Sequence, residues 1–512
     1  MAAFRSAPAA LAWTPTMNAS YPPPAGTPSP RLTPGRLRGW TIVLSALWVG
    51  CGMIAPGRTA TAEGWRAGVG RVEITPDSPM WMAGYGSRDR PAEGKLTELW
   101  CKTLLLEDAA GDRALLITLD LVGIDRDLAG AICQRIGELH GLARHQISIC
   151  TSHTHTGPVV GQNLGPLHYE ILTPEQQRLV ERYTSRLADA VVAAAGQALE
   201  APQHCRVRYG HGEATFAVNR RENRPEGDVP GRRAAGTLAG PVDHDVPVLA
   251  VEDESGEPMA IVFGYACHAT VLSSYVWSGD YPGFAQAEIE RLYPGTQAMF
   301  WAGCGADQNP LPRRTVALAE HYGRRLAAAV EAVLLTSEME ELTPEIETVY
   351  AEIDASFDEL PSRELLEHQA RSDNRFERAR AAMLLARIDA GEPLSPTYPY
   401  PVGTWKLGRR VHWFFLGGEV VVDYSLRLKQ ELPDNTWVAG YANDVMAYIP
   451  SRRVLREGGY EGGGAMVYYG LPTVWSPAIE GQIIGETLRQ AALLGGANPD
   501  PSDRPAEPAD VR

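Results

Sequence analysis

A short polar segment, Ser-His-Thr-His-Thr-Gly-Pro over residues 152–158, carries His153 and His155 directly after an apolar run that ends at Cys150. In an extended chain, residues two apart project to the same side, so both imidazoles can face one cavity. Imidazole nitrogens bind zinc and other transition metals, but histidine also serves as an ordinary hydrogen-bonding residue. The spacing therefore indicates either part of a metal site, which needs further ligands, or a pair of polar loop histidines.

Two further residues that could bind a metal follow apolar runs later in the chain. His268 comes after residues 260–266, and Glu419 comes after residues 413–418. A carboxylate beside a buried strand is costly unless it is paired or bound to a metal. A histidine at a strand end is also an ordinary structural residue, and Glu419 could equally stabilise the start of a helix over residues 420–432. The residue types alone leave both interpretations open.

Short apolar strands alternate with longer amphipathic helices from residue 64 onward, which predicts an α/β architecture with mixed β-sheets flanked by helices. Residues 114–120 and 146–150 are predicted strands, with a helix over residues 127–140 between them. Further helices are predicted over residues 174–199, 316–336 and 480–494, and the charged stretch 362–390 is predicted to be a solvent-facing helical pair. The polar candidates all follow predicted strands, so chemistry is expected where strands end.

Length and composition indicate a globular protein. The chain has 512 residues, of which 44% are hydrophobic and 21% are charged, enough to bury a sizeable core. The length allows about three domains of ordinary size or one large domain. We expect a single large domain over residues 63–496 and a disordered tail over residues 497–512. The formal net charge of -15 argues against a nucleic-acid partner, which needs a basic face to replace counterions. The oligomeric state does not follow from the sequence.

Residues 1–62 are predicted to be a disordered segment and a signal peptide rather than part of the fold. Basic residues precede an apolar run over residues 40–55, and the small residues Ala-Thr-Ala follow and end at Ala62. This order is the signal-peptide pattern, and the run is short for a membrane span. We expect cleavage after Ala62 and export to the periplasm or the medium. An uncleaved anchor and lipidation at Cys51 are the alternatives.

Six cysteines follow the predicted cleavage site, and no two of them form a Cys-x-x-Cys pair. Export permits disulfides, yet the wide spacing lacks the density of a fold built on disulfides. We expect these cysteines to be buried free thiols: Cys101, Cys133, Cys150, Cys205, Cys267 and Cys304.

The motifs, taken in order, resemble the neutral/alkaline non-lysosomal ceramidase family over most of residues 66–494. The His-Thr-His-x-Gly-Pro element is the most specific match. The other matching stretches are Val72-Glu-Ile-Thr-Pro76 with Gly84-Tyr85, Asn219-Arg220, Ala266-Cys-His268, Ser278-Gly-Asp280, Gly418-Glu419, and residues 443–449. The resemblance implies one zinc ion per chain, with His153, His268, Glu419 and Tyr448 as its ligands.

The resemblance also implies an amide hydrolase that cleaves the N-acyl bond of ceramide or a related N-acyl lipid, with transient contact at a membrane surface. Zinc would lower the pKa of a bound water to about 7. His155 would then shuttle a proton to the leaving amine, Arg220 would line the substrate cavity, and Tyr460 would donate to the carbonyl oxygen. Tyrosine is an unusual zinc ligand, so Tyr448 and Tyr460 could instead pack their rings while their hydroxyls bond to the backbone.

Two departures from the family pattern concern the substrate and the mechanism. The family carries a Ser-Pro-Asn element with a functional serine, whereas residues 303–310 read Gly-Cys-Gly-Ala-Asp-Gln-Asn-Pro. Gln308 or Asn309 occupies that neighbourhood, and Cys304 would be the substitute nucleophile. Little sequence follows Leu494, so the immunoglobulin-like C-terminal domain that is usual in the family is not expected.

Other functions stay open at this stage. A zinc hydrolase of a different, soluble amide or ester is favoured by the missing serine. A non-enzymatic exported protein that binds a metal or a carbohydrate, and a metal-dependent phosphoesterase, are the remaining alternatives.

Overall fold

The computed structural model of the protein describes residues 64–336, 338–432 and 435–495, which belong to one compact unit. The predicted signal segment 1–62, its cleavage site and the predicted tail 497–512 lie outside the described residues. None of the described helices combines the length and apolar character that crossing a membrane requires.

Strands and helices alternate along the described chain. The strands are β1 (Trp65–Glu73), β2 (Gly94–Lys95), β3 (Trp100–Glu107), β4 (Arg113–Leu119), β5 (Ile147–Thr151), β6 (Gln203–Glu213), β7 (Ala217–Asn219), β8 (Asp245–Asp253), β9 (Pro258–Tyr265), β10 (Val276–Trp277), β11 (Gln297–Ala302), β12 (Gln308–Pro310), β13 (Glu340–Glu341), β14 (Ile346–Ser356), β15 (Thr397–Leu407), β16 (Val411–Leu416), β17 (Glu419–Val420), β18 (Thr436–Ala439) and β19 (Tyr448–Ile449). The helices are α1 (Arg126–His140), α2 (Pro174–Glu200), α3 (Val229–Ala234), α4 (Asp280–Leu292), α5 (Val316–Leu335), α6 (Arg363–Gln369), α7 (Arg375–Asp389), α8 (Val422–Glu431), α9 (Arg452–Glu457) and α10 (Ile479–Leu494).

The largest sheet has the strand order β11-β9-β8-β6-β1-β3-β4-β5, with β13 paired to β6. The pairs β4–β5 and β9–β11 are parallel and the other pairs are antiparallel. Side chains alternate between the two faces of a strand. On β9, Ile261 and Phe263 therefore pack towards α4 and α5, while Ala260 and Val262 pack on the opposite side. The mixed sheet with flanking helices confirms the predicted α/β class.

A second sheet, β14-β15-β16-β18, covers the face of the large sheet that its helices leave free. Trp301 from the large sheet meets Trp413 and Trp437 from the second sheet in this layer, with ring centroids 5.5 and 6.4 Å from its own. Helices α8 and α10 cover the outer side of the second sheet. The result is a helix–sheet–sheet–helix stack, and its buried aromatic layer fixes how the two sheets meet.

The predicted elements are present with their ends shifted by one or two residues, including the helical pair α6 and α7 in the charged stretch. The six cysteines of the described chain are unpaired, and all but Cys205 are buried, as predicted. Glu419, however, lies in β17, and α8 begins only at Val422. The alternative of Glu419 as an acid in the first turn of a helix is therefore wrong.

Candidate metal centre and adjoining cleft

The loop after β5 brings His153 and His155 together, but not by the predicted route. His153 has φ 56°, a left-handed conformation that costs a residue with a side chain about 1–3 kcal/mol. The segment is therefore not extended at this point. The turn nevertheless brings the two Nε2 atoms to 3.1 Å from each other. Tyr441, whose ring centroid is 4.3 Å from that of His153, packs against the turned imidazole.

Backbone carbonyls fix how two of the histidine rings point. The Nδ1 atom of His153 lies 2.5 Å from the carbonyl oxygen of Val122, and Nδ1 of His268 lies 2.8 Å from that of Gly305. A carbonyl only accepts, so Nδ1 of each ring carries the proton. In the neutral form each Nε2 then presents a lone pair to the space between the rings, which is the arrangement of a metal-binding histidine.

Glu419 enters this space from the opposite side. Gly418 has φ 77°, and a Cβ there would lie 2.6 Å from Ile449 and 2.7 Å from the carbonyl oxygen of Ala447, so the turn requires glycine. The turn starts β17, which pairs in parallel with β19 so that Glu419 lies opposite Tyr448. Oε2 of Glu419 lies 3.2 Å from Nε2 of both His153 and His268.

Tyr448 completes the predicted ligand set. Its hydroxyl lies 3.3 Å from Nε2 of His268 and accepts a hydrogen bond from Arg220 at 3.0 Å. The hydroxyl of Tyr460 makes no hydrogen bond to another described residue. Neither hydroxyl bonds to the backbone, which excludes that alternative for both tyrosines.

These residues fit a metal ion. Two imidazole lone pairs and a carboxylate oxygen converge in a buried space, where they repel one another unless a cation or a proton lies between them. Oε2 of Glu419 and Nδ1 of His155 are buried without a hydrogen-bond partner. Ligand atoms of His153, His155 and His268 all lie within 4.8 Å of one another, so His155 is the competing candidate for a ligand.

The protonation states suit metal binding. Burial, with a further contribution from Arg220, lowers the pKa of His268 to about 4. Burial and the two neighbouring histidines hold the pKa of His155 well below its ordinary value. Burial raises the pKa of Glu419, but His153 and His268 outweigh this effect and hold that pKa well below its usual range. Near neutral pH the site therefore offers neutral imidazoles at His155 and His268 and an ionised carboxylate at Glu419, the forms that bind metals.

A cleft of about 610 Å³ adjoins the cluster and is lined in part by His155, Arg220, Tyr448 and Tyr460. Arg220 donates from Nε to Glu461 at 2.7 Å and reaches Tyr448 through Nη2. The ring of Tyr460, which is 42% exposed, packs against that of Tyr448 with centroids 5.2 Å apart. The three residues predicted to be catalytic, His155, Arg220 and Tyr460, thus all line this cleft.

The segment that lacks the family's serine is also resolved by the structure. Asn309 lines the cleft, and its Oδ1 lies 3.5 Å from Nη1 of Arg220. Gln308 instead donates to the carbonyl oxygen of Pro241. Cys304 is fully buried, and burial raises the pKa of its thiol far above the ordinary value. Cys304 as a nucleophile is therefore wrong, because the reactive form is an accessible thiolate.

Sequence reasoning missed Tyr469 and gave no role to a second tyrosine of the site, Tyr85. Tyr469 donates from its hydroxyl to Oε1 of Glu419, and Tyr85 packs its ring against His155 with centroids 4.8 Å apart. The sequence signal for Tyr85 was the matching stretch Gly84-Tyr85. Gly84 itself packs against the same histidine, since a Cβ there would lie 2.4 Å from Cγ of His155. Nothing local in the sequence distinguishes Tyr469 from the adjacent Tyr468.

Comparison with known proteins gives a consistent match. The family model described as neutral/alkaline non-lysosomal ceramidase, N-terminal, matches residues 65–339, more than half of the chain. Neutral ceramidase A of Dictyostelium discoideum is 24% identical over 246 residues, which cover 46% of this chain and 33% of that protein. The match thus spans about a third of the length of this curated relative.

Two solved structures share the fold. The neutral ceramidase of Pseudomonas aeruginosa superposes with a TM-score of 0.64 at 19% identity, covering 85% of this chain and 75% of that one. A ceramidase structure described as complexed with C2 gives a TM-score of 0.64 at 18% identity, covering 87% and 77% of the two chains.

Proposed function

The chain belongs to the neutral/alkaline non-lysosomal ceramidase family, and on that basis we propose that it is a zinc-dependent hydrolase of the N-acyl amide bond of ceramide or a related N-acyl lipid. One observation carries the proposal. Oε2 of Glu419 lies 3.2 Å from Nε2 of both His153 and His268, in a buried space that adjoins an open cleft. His153, His268, Glu419 and Tyr448 would hold the ion, which would supply Lewis-acid activation of water and of the amide carbonyl.

His155 handles the proton in this proposal. Water adds its oxygen to the carbonyl carbon, the C–N bond breaks, and the departing nitrogen needs a proton. His155 is neutral because its pKa is lowered, and its Nδ1 carries no hydrogen bond. The His155 side chain lines the cleft, so we assign its imidazole to take the proton from the water and return it to the amine.

Tyr460 and Arg220 stabilise and position groups at the carbonyl. The hydroxyl of Tyr460 has no partner among the described residues, so it is free to donate to the oxyanion that develops on the substrate. Arg220 holds the hydroxyl of Tyr448 at 3.0 Å and is itself held by Glu461. Because these contacts exist before substrate binds, the site does not have to reorganise during the reaction.

Zinc content and ceramide hydrolysis, measured together, test this function. We expect about one zinc per chain by elemental mass spectrometry, and release of fatty acid from ceramide in detergent that stops on chelation and returns with zinc. Zinc without ceramide turnover favours the second candidate, a zinc hydrolase of another amide or ester. The lack of a serine in residues 303–310, with Asn309 lining the cleft there, supports that candidate. A chain that binds no zinc overturns both.

We also propose that the protein is exported after removal of residues 1–62. The order of basic, apolar and small residues in the N-terminal segment supports this. Mass spectrometry of the mature protein should find an N-terminus at Glu63, and a chain that retains its apolar run contradicts the proposal.

A further inference from the structure

Arginines dominate the wall of the cleft beside the metal centre. Four of them line it, against two glutamates. Each glutamate forms an ion pair with an arginine of the same cleft: Glu461 with Arg220 and Glu226 with Arg313. Arg224 and Arg314 have no carboxylate within ion-pair distance among the described residues. The cleft therefore carries uncompensated positive charge, although the whole chain has a formal net charge of -15.

Arg314 lies close to the reacting groups. Its Nη1 donates to the hydroxyl of Tyr85 at 2.8 Å, and its guanidinium carbon lies 5.2 Å from the centroid of that ring. The same ring packs against His155, so a single side chain separates Arg314 from the proposed proton shuttle. The buried carboxylate of Asp280 interacts electrostatically with Arg314, but it accepts hydrogen bonds from three backbone N–H groups and forms no ion pair.

Arg224 lies on the same cleft and is tied to it by one hydrogen bond. Its Nε donates to the carbonyl oxygen of Arg220 at 3.1 Å. Its Nη atoms make no hydrogen bond to a described residue, so they are free to donate to a ligand. The two arginines can thus offer planar, paired donors of the kind that bind carboxylate and phosphate groups.

The remaining lining argues against an acyl chain in this part of the cleft. Apart from Pro225 and the rings of Tyr85, Tyr448 and Tyr460, the lining side chains are polar or charged, and none is Leu, Ile, Val, Met or Phe. A hydrocarbon chain gains little there, because its binding depends on burying apolar surface. The amine half of the substrate fits this lining better than the acyl half.

We propose that Arg224 and Arg314 form an anion-binding subsite that binds a carboxylate or phosphate on the amine half of the substrate. The substrate class is then N-acylated amines with an anionic group a few bonds from the amide, of which N-acyl amino acids are the simplest. The proposal rests on the proposed amide hydrolase function. Water still adds to the carbonyl carbon, the C–N bond breaks, and the products are a fatty acid and an anionic amine.

Matched substrates and variants test the subsite. N-lauroylglycine and N-lauroylethanolamine share the acyl chain and differ in charge, and the O-phosphate of N-lauroylethanolamine separates phosphate from carboxylate. For Arg314→Gln and Arg224→Gln, we expect the ratio of kcat/KM for the anionic over the neutral amide to fall about tenfold, the usual loss for one charge-assisted hydrogen bond. Arg409→Gln, at an exposed arginine on the β15–β16 turn, should leave the ratio unchanged.

Failure of this subsite is distinguishable from failure of the proposed function. Turnover of neutral and anionic amides with a ratio that neither variant changes overturns the subsite and leaves the hydrolase in place. If no amide is turned over, calorimetry of N-lauroylglycine against N-lauroylethanolamine still decides, and equal affinities overturn the subsite. Loss of binding to phosphatidylglycerol vesicles in the variants, without a change in the ratio, would make these arginines a membrane contact and also overturn it.

Discussion

The hydroxyl of Tyr469 donates a hydrogen bond to Oε1 of Glu419. This contact engages one carboxylate oxygen and leaves the other, Oε2, directed at the two histidine Nε2 atoms. Mutation of a residue that hydrogen-bonds to a metal ligand and orients it typically lowers metal affinity by about 10–100-fold. Tyr469 therefore positions the carboxylate of a proposed ligand, and it is not among the residues that line the cleft.

Tyr469→Phe should weaken zinc binding by about tenfold while the protein still fills its site at saturating zinc. The reason is that the carboxylate gains rotational freedom once Oε1 loses its donor. Competition against a chromogenic chelator measures the affinity. Tyr468→Phe is the matched control, because the adjacent hydroxyl does not contact Glu419. Equal affinities in the two variants would show that the hydrogen bond does not orient the ligand.

Alanine at His153, His268 or Glu419 should abolish zinc binding and activity together, because each substitution removes one of the three convergent ligand atoms. His155→Ala should lose activity but keep its zinc. Elemental mass spectrometry and hydrolysis assays on the same samples separate the two outcomes, with the exposed His204→Ala as the control. Zinc loss in His155→Ala would make His155 a ligand, and full zinc occupancy in the first three variants would refute the ligand set.

Tyr460→Phe should lower kcat by about 100-fold, on the order of 3 kcal/mol in the barrier, if its hydroxyl donates to the developing oxyanion. Zinc content and KM should change little, because the ring and its packing against Tyr448 stay in place. Steady-state kinetics of the zinc-loaded variant test this. An unchanged kcat assigns the stabilising role to another donor.

Gly84→Ala should lower activity sharply, since the new Cβ would lie 2.4 Å from Cγ of His155 and the residue has φ 95°. The imidazole must then move, which misplaces its Nδ1. Zinc content should persist, because His155 is outside the proposed ligand set. Gly94→Ala serves as the control, since its nearest contact would be 4.0 Å away. Equal activities would mean that the loop adapts.

Asp444 predicts a pH dependence of stability. Burial raises its pKa to about 7, against the lowering effect of the hydrogen bond from Tyr398. Between about pH 4 and pH 7 the unfolded chain carries the ionised carboxylate while the folded chain keeps the proton, so stability falls as pH rises through this window. The full effect is of the order of 4 kcal/mol.

Asp444→Asn mimics the protonated form and should remove this loss. We expect the variant to be more stable than the parent at pH 8, with a smaller difference at pH 5, in urea unfolding. Asp112→Asn, at an exposed site, should leave the parent's pH dependence unchanged. Asp120 and Asp280 have pKa values raised by burial to about 6, so the parent keeps part of its slope. Parallel pH profiles for the parent and Asp444→Asn would contradict the prediction.

Most of the helices and strands could be predicted from local patterns of apolar and polar residues. Continuous apolar runs such as residues 114–120 and 260–266 marked strands of the large sheet, because both faces of that sheet are covered. The pairing of β17 with β19 was not predictable, since two-residue strands have no periodicity. Glu419 was consequently placed at a helix start in one interpretation, although its carboxylate faces the histidines.

The residues of the site were found through motifs, whereas their contacts depend on the tertiary structure. The His-Thr-His spacing located His153 and His155, but the left-handed turn at His153 replaced the expected extended geometry. The burial of Cys304 and the different directions of Gln308 and Asn309 follow from packing between distant segments. Tyr469 carries no local signal, because its role exists only once its loop lies against Glu419.

The pairing of Glu419 with Tyr448 across β17 and β19 has a consequence for when a chain with the proposed ligand set could bind a metal. Two of the proposed ligands, His153 and His268, lie within the family-matched region, whereas the other two lie beyond residue 339. A nascent chain that has just emerged to that point would hold both proposed imidazole ligands but not the proposed carboxylate ligand. With this ligand set, metal loading would be a late event of biogenesis, and a chain truncated before residue 419 would keep the family signature yet be unable to retain the ion.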